Sequence, residues 1–286
     1  MTRKQTACAR PARRTATVFV WALLALAAPV QAQLAASGSS LTVTTGNAVA
    51  TFTGPDLVGL VNRATGESYL TNPSSGELGA VNEMHSGGPL TWAGWTIGTD
   101  AATGQPQATL IGQRSGSTLR LAITTDGTTQ EIVLRLSASV STAGLRDASW
   151  SMAGLNFSGG RLIVPGHSGM VFEGTNAGIG TFLQYPNTWQ AQMLAYESTA
   201  GSFVLYSTDN SYAFKQLRIS TRGNTGADIA VATEAVSPFP TASVVPTVEW
   251  RLKAFAGDWR VAAGAYRTWL QANRPHLPRD APSVPD

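Results

Sequence analysis

The chain has 286 residues, of which 43% are hydrophobic and only 13% charged, with a formal net charge of +3. Five of its 20 basic residues and none of its 17 acidic ones fall within residues 1–32, so the remainder carries 15 basic against 17 acidic side chains. That balance leaves no basic patch for nucleic acid. The one cysteine, Cys8, lies in the same leading segment, which removes disulfides, thiolate catalysis and thiolate metal sites from everything after it.

Residues 1–32 read as an export signal. Arg3, Lys4, Arg10, Arg13 and Arg14 form a basic start, residues 18–28 are an almost continuous apolar run, and Val30-Gln31-Ala32 offers the small residues a signal peptidase needs. The run falls short of the roughly 20 residues required to cross a bilayer. Cleavage and release to the periplasm or the exterior, with no membrane anchor left, are therefore expected. The Arg13-Arg14 pair resembles a twin-arginine signal without its usual continuation.

Residues 33–256 carry strand signals. Ala48, Ala50 and Phe52 alternate before the Gly54-Pro55 break, and segments 57–61 and 68–70 flank a turn at 62–66. Leu119, Leu121 and Ile123 alternate up to Asp126-Gly127, after which Ile132, Leu134 and Leu136 resume the period. Period-two apolar spacing on both sides of Asp-Gly predicts an antiparallel hairpin, because that dipeptide tolerates the positive φ of tight turns. Short strands follow at 162–164, 203–206, 217–219 and 229–232. In the last strand Val248, Trp250, Leu252 and Ala254 point one way and Glu249, Arg251 and Lys253 the other. The fold class is all-β, a sandwich of two antiparallel sheets.

A connector helix is predicted over residues 257–274, capped by Asp258 and ended by Pro275, with a Pro-rich tail at 275–286. Trp259, Ala262, Ala263, Tyr266, Trp269 and Leu270 share one face, which must be buried against the sandwich or against a following domain.

Candidate chemistry is sparse. Glu77 and Glu83 lie in a Gly-rich stretch, and Glu131 and Glu249 sit at outward strand positions, where solvated carboxylates are expected. The histidines are His85, His167 and His276. Of these, His167 with Glu173 is the pair to weigh as acid and base of an aldose epimerase, and a structural or loop histidine is the preferred reading. Ser168 is not in a Gly-x-Ser-x-Gly elbow. Asp209-Asn210 is a turn signal before it is a calcium ligand, and the pattern contains no metal or cofactor motif. Trp92, Trp95 and Trp189 are the candidates for stacking on a sugar, with core packing as the competing use of such large rings.

Four stretches together resemble the N-terminal β-supersandwich of bacterial glycoside hydrolases of the α-galactosidase and endo-α-N-acetylgalactosaminidase kind. They are Leu57-Val-Gly-Leu-Val-Asn-Arg-Ala-Thr-Gly66; Leu162-Ile-Val-Pro-Gly-His-Ser-Gly169; Trp189 to Tyr196 with Gly201-Ser-Phe-Val-Leu-Tyr-Ser-Thr-Asp209; and Gly257-Asp-Trp259 with Tyr266-Arg-Thr-Trp269. The resemblance implies a fold like that of galactose mutarotase, a non-catalytic role, and packing on a catalytic (β/α)8 barrel. The family's catalytic carboxylates belong to that barrel, so no catalytic residue is carried over. Trp259, Tyr266 and Trp269 are then expected at the seam with the barrel, and glycan is the expected ligand class. A free-standing epimerase-like enzyme and a non-catalytic glycan-binding protein are the alternatives.

Overall fold

The structure is a computed structural model. It describes residues 32–71, 79–85, 87–167, 169–173, 181–222 and 225–273. The body of the export signal, Glu77, Ser168, His276 and the Pro-rich tail lie outside the described residues.

An antiparallel meander opens the chain: β1 (Gln33–Ser37), β2 (Ser40–Thr44), β3 (Ala48–Thr53) and β4 (Asp56–Asn62). After β5 (Ala80–Glu83), a second meander starts the opposite sheet with β6 (Thr91–Thr99), β7 (Pro106–Arg114), β8 (Ser117–Asp126) and β9 (Glu131–Val140). The long β10 (Leu145–Asn156) returns to the first sheet. Next come the hairpin β11 (Gly160–Val164) and β12 (Met170–Phe172), the edge strand β13 (Thr181–Tyr185), and the hairpin β14 (Met193–Ser198) and β15 (Ser202–Ser207). The pair β16 (Lys215–Arg222) and β17 (Gly226–Glu234) extends the first sheet, and β18 (Val248–Phe255) completes the second. Helix α1 spans Trp259–Asn273.

The first sheet runs β1-β2-β3-β4-β10-β17-β16-β13, with β5 alongside β10; the second runs β12-β11-β14-β15-β18-β9-β8-β7-β6. The architecture is thus the expected all-β double layer with one C-terminal helix. One pairing departs from the antiparallel pattern: Ser151 and Met152 of β10 lie parallel to Asp56 and Leu57 of β4. The chain between β4 and β10 visits the other sheet before returning, which gives the long crossover that parallel pairing demands.

The predicted hairpin forms in full register from Ser117↔Val140 to Asp126↔Glu131. Its turn differs from the expected tight Asp-Gly pair. Residues 127–130 make a longer loop in which Gln130, not Gly127, takes the positive φ of 59°. The Asp126 carboxylate organises it by accepting the N–H groups of Thr128 at 2.9 Å and Thr129 at 3.1 Å.

The core lies between the sheets. Alternation places Ala48, Ala50 and Phe52 of β3 inward against Leu119, Leu121 and Ile123 of β8, and Val248, Trp250, Leu252 and Ala254 of β18 join them. Trp150, Trp189 and Trp250 are the largest fully buried side chains. Segment 68–70, expected as a strand, contributes only single bridges, Val61↔Ser68 and Leu70↔Leu155.

Among the described residues, the Lys215 ammonium is buried with this core. The Lys215 side chain is 0% exposed, 2.6 Å from the Asp209 carboxylate and 4.9 Å above the Tyr185 ring. Asp209 also accepts the Ser211 and Ala213 backbone N–H groups, so the turn use of this aspartate fills both of its oxygens. Burial opposes its ionisation, but Lys215 and Ser211 outweigh that and hold the carboxyl below the usual range. A carboxyl lowered on folding stabilises the fold above its unfolded pKa, and that stability is lost as pH falls through the folded value. Asp209→Asn leaves the Lys215 ammonium without its counter-charge. It is expected to cost about 3–5 kcal/mol in urea unfolding at pH 7. The gap to the parent should narrow below about pH 4; a variant within 1 kcal/mol of the parent at pH 7 would contradict the assignment.

Candidate functional site

The three tryptophans considered for sugar stacking are placed by strands, not loops. Trp92 and Trp95 both lie in β6, where a bulge shifts the register between their partners Gly112 and Leu110, and Gly94 adopts φ 85°. One extra residue brings side chains three apart onto the same, inward face. Trp95 meets Phe52 edge-on at 5.9 Å and is buried, while Trp92 is half-buried over Gly112, where any larger side chain would collide with its ring. Trp189 is fully buried, stacked on Trp250 at 6.0 Å, with its indole N–H donating to the Met193 carbonyl. Neither Trp95 nor Trp189 has a free ring face for a ligand.

The histidine readings separate in the same way. His167 sits in the exposed turn between β11 and β12, whereas Glu173 follows the far end of β12, about 10 Å of strand away. Glu83 lies in β5, not a loop, and is bound by Arg114 and Ser117. Among the described residues no cluster of three or more His, Cys, Asp or Glu side chains is arranged to hold a metal.

Of the two outward-strand carboxylates expected to be solvated, Glu131 is buried and Glu249 is partly covered. Glu131 faces outward but is 3% exposed, accepting hydrogen bonds from the Tyr206 hydroxyl at 3.0 Å and Arg251 at 2.9 Å. Arg251 also meets Asp126 at 3.0 Å and Glu249 at 2.9 Å, and Arg135 links Glu249 to Asp100. Burial alone would make the Arg251 guanidinium easier to deprotonate, but these carboxylates push its pKa the other way. Burial and Glu131 together raise that of the Tyr206 hydroxyl. The outward face of a strand is solvated only if nothing covers it, and here the network and α1 share that face.

Helix α1 begins as predicted, with the Asp258 carboxylate accepting the Arg260 N–H at 2.9 Å; Glu197 adds a second acceptor for the Trp259 N–H at 2.8 Å. Its apolar stripe packs on the outer face of the second sheet, where Ala262 and Tyr266 are buried against Met193, Ala195, Val204 and Tyr206. Burial pushes the Tyr266 hydroxyl pKa up to about 12. Trp269 stacks on Tyr266 at 5.5 Å but stays half-exposed, as does Trp259. Beside Trp269, a groove of about 620 Å³ opens between α1 and the Arg251 network.

A second concavity lies on the outer face of the first sheet. Outward positions in the middle of β17 are Ala230 and Ala232, flanked by Arg218 and Gln216 of β16 and facing Gln184 and Phe182 of β13 beyond. At the end of this face, Asn82, Asp147, Gln184, Gln216, Arg218 and Glu234 are among the residues that line a cleft of about 470 Å³. Its polar groups orient one another. Glu234 Oε1 accepts from Gln184 at 2.6 Å and Gln216 at 2.8 Å, while Asp147 accepts from Asn82 at 2.6 Å and pairs with Arg218 at 2.9 Å. Apart from Glu83 at its edge, sequence reasoning did not single out the cleft residues, because they come from five strands spread over about 150 positions and match no motif.

No family model and no curated protein matches the sequence. Solved structures share the fold. The α-N-acetylgalactosaminidase NagBb from Bifidobacterium bifidum superposes with a TM-score of 0.56 at 6% identity, over 85% of this chain and 39% of its own. The GH36 α-galactosidase AgaB from Geobacillus stearothermophilus gives 0.52 at 8% identity, over 84% of this chain and 43% of its own. This chain therefore spans about two fifths of those glycoside hydrolases.

The α1 contacts rank the aromatic residues. Tyr266→Ala opens a buried contact and is expected to destabilise the protein by about 2–4 kcal/mol. Trp269→Ser, at a half-exposed site, should cost distinctly less in the same denaturation experiment. The reverse order would mean that the helix is anchored by its C-terminal half.

Proposed function

We propose that this chain is the accessory, non-catalytic β-supersandwich of a glycoside hydrolase, galactose-mutarotase-like in detail, which packs on a (β/α)8 barrel and helps to form one wall of a glycan cleft. The observation that carries the reading is that nearly the whole described sandwich corresponds to a minor part of two enzymes that act on α-linked galactose-type sugars by name. The half-exposed Trp269 beside the groove, and the half-exposed Trp259 at the start of the same helix, support a seam along α1, with the buried Tyr266 holding the helix in place. Exposed aromatic surface of this kind is a common mark of an interaction site. Within the same reading, residues 1–32 direct export to the periplasm or the exterior. Among the described residues no helix is long and apolar enough to cross a membrane.

The reading predicts that the purified chain releases no aglycone from aryl α- or β-galactosides, glucosides or α-N-acetylgalactosaminides. Hydrolysis that disappears on substitution of a single Asp or Glu would overturn it. Export is tested separately. Secreted protein should begin at or near Gln33 by N-terminal sequencing, and a membrane-retained form still carrying Arg13 and Arg14 would identify an anchor instead.

A further inference from the structure

We propose that the cleft on the outer face of the first sheet is a binding site for an uncharged saccharide. The site goes beyond the accessory reading, since it requires no barrel and lies on the sheet opposite the one that carries α1.

The argument starts from what remains unpaired. Glu234 Oε1 takes two amide donors, which leaves Oε2 with no protein partner among the described residues. The Gln184 side chain donates to Glu234, and its own carbonyl oxygen has no hydrogen-bond donor among the described residues. Arg146, at the rim, makes no ion pair and no side-chain hydrogen bond among the described residues, and its guanidinium lies 6.0 Å above the Phe239 ring. Glu234 is 6% exposed and Gln216 9% exposed. Buried polar groups that are held in place yet incompletely used are the usual orienting elements of a small-molecule site.

Charge then decides the ligand class. Arg146 and Arg218 balance Asp147 and Glu234, and the third carboxylate of the lining, Glu83, is neutralised by Arg114 at 2.5 Å, so the cleft offers neither the positive field that would gather phosphates or uronates nor the negative field that would gather amines. Hydroxyl groups both donate and accept, and so match a guanidinium, an open amide oxygen and an open carboxylate oxygen in one place.

The last element is an aromatic face. Phe182 is 57% exposed on the edge strand β13, directly opposite Arg218 in the register. A single exposed Phe is ordinary on a protein surface. Beside a ring of hydroxyl-binding groups it supplies the apolar platform on which the C–H face of a sugar ring can stack. The cavity volume lies within the range of small-molecule sites, about 300–1,000 Å³.

The test is isothermal titration and ligand-observed NMR on the purified, processed chain. The probes are galactose, glucose, N-acetylgalactosamine and their methyl α- and β-glycosides, with glucuronate and inorganic phosphate as anionic controls. At least one neutral sugar is expected to saturate, with binding weakened about tenfold or more in Phe182→Ala and in Arg146→Ala. Both residues are exposed, so circular dichroism should show the parent fold in each variant. Val261→Ser, on α1 and outside the cleft, should bind like the parent. Sugar binding unchanged in both cleft variants would overturn the proposal. So would saturation by the anions alone, or the absence of any response from the neutral panel. Self-association reduced by Phe182→Ala without sugar binding would also overturn it and make the face a protein-docking surface. Hydrolysis is read separately, so failure here leaves the accessory reading standing, and the reverse.

Discussion

Everything in the first sheet depends on the backbone pairing of one strand. β10 bonds β17 along one side, while its other side is divided between β5, opposite residues 145–149, and β4, opposite Ser151 and Met152. It is the splice between the opening meander and the β17-β16-β13 half of the sheet. The splice is secured by side chains as well: Ser151 donates to the Asp56 carboxylate, which also accepts the Gly79 N–H at 3.1 Å. The same strand sends Trp150 into the core and Asp147 out to the cleft, so the sheet's closure and the cleft's geometry share a single element.

The elements that were legible in the sequence are those with one covered face. β8, β9 and β18 alternate cleanly because water lies on one side or a polar network replaces it, and the helix shows its period, cap and stop within a single segment. β10 was not legible, since Ser149, Trp150, Ser151, Met152 and Ala153 are all buried and a strand covered on both faces shows no alternation. The bulge in β6 was hidden for a related reason: spacing of three between Trp92 and Trp95 has no meaning for a strand until the extra residue is known. Only the tertiary structure shows that the outward side of β9 and β18 lies beneath Arg251 and beside α1.

The polar surfaces differ in kind. Around Arg251 the charges are closed on one another, with Asp126, Glu131 and Glu249 all engaged, and such a cluster fixes the positions of β8, β9 and β18 relative to one another. In the cleft on the first sheet the groups are oriented but not exhausted. Amides contribute as much there as charges do. A polar cluster that satisfies itself is architecture; one that leaves oriented valences is chemically available.

The Lys215–Asp209 pair has a thermal consequence. Dehydrating two ions is the main cost of placing them beside the core, and that cost shrinks on heating because ion hydration is entropically unfavourable, whereas the gain from apolar burial levels off. The contact between the fully covered ammonium and its carboxylate therefore grows in weight relative to apolar burial as the temperature rises. The lysine that looks most out of place among aromatic and aliphatic neighbours at room temperature becomes a progressively better fit in the hot protein.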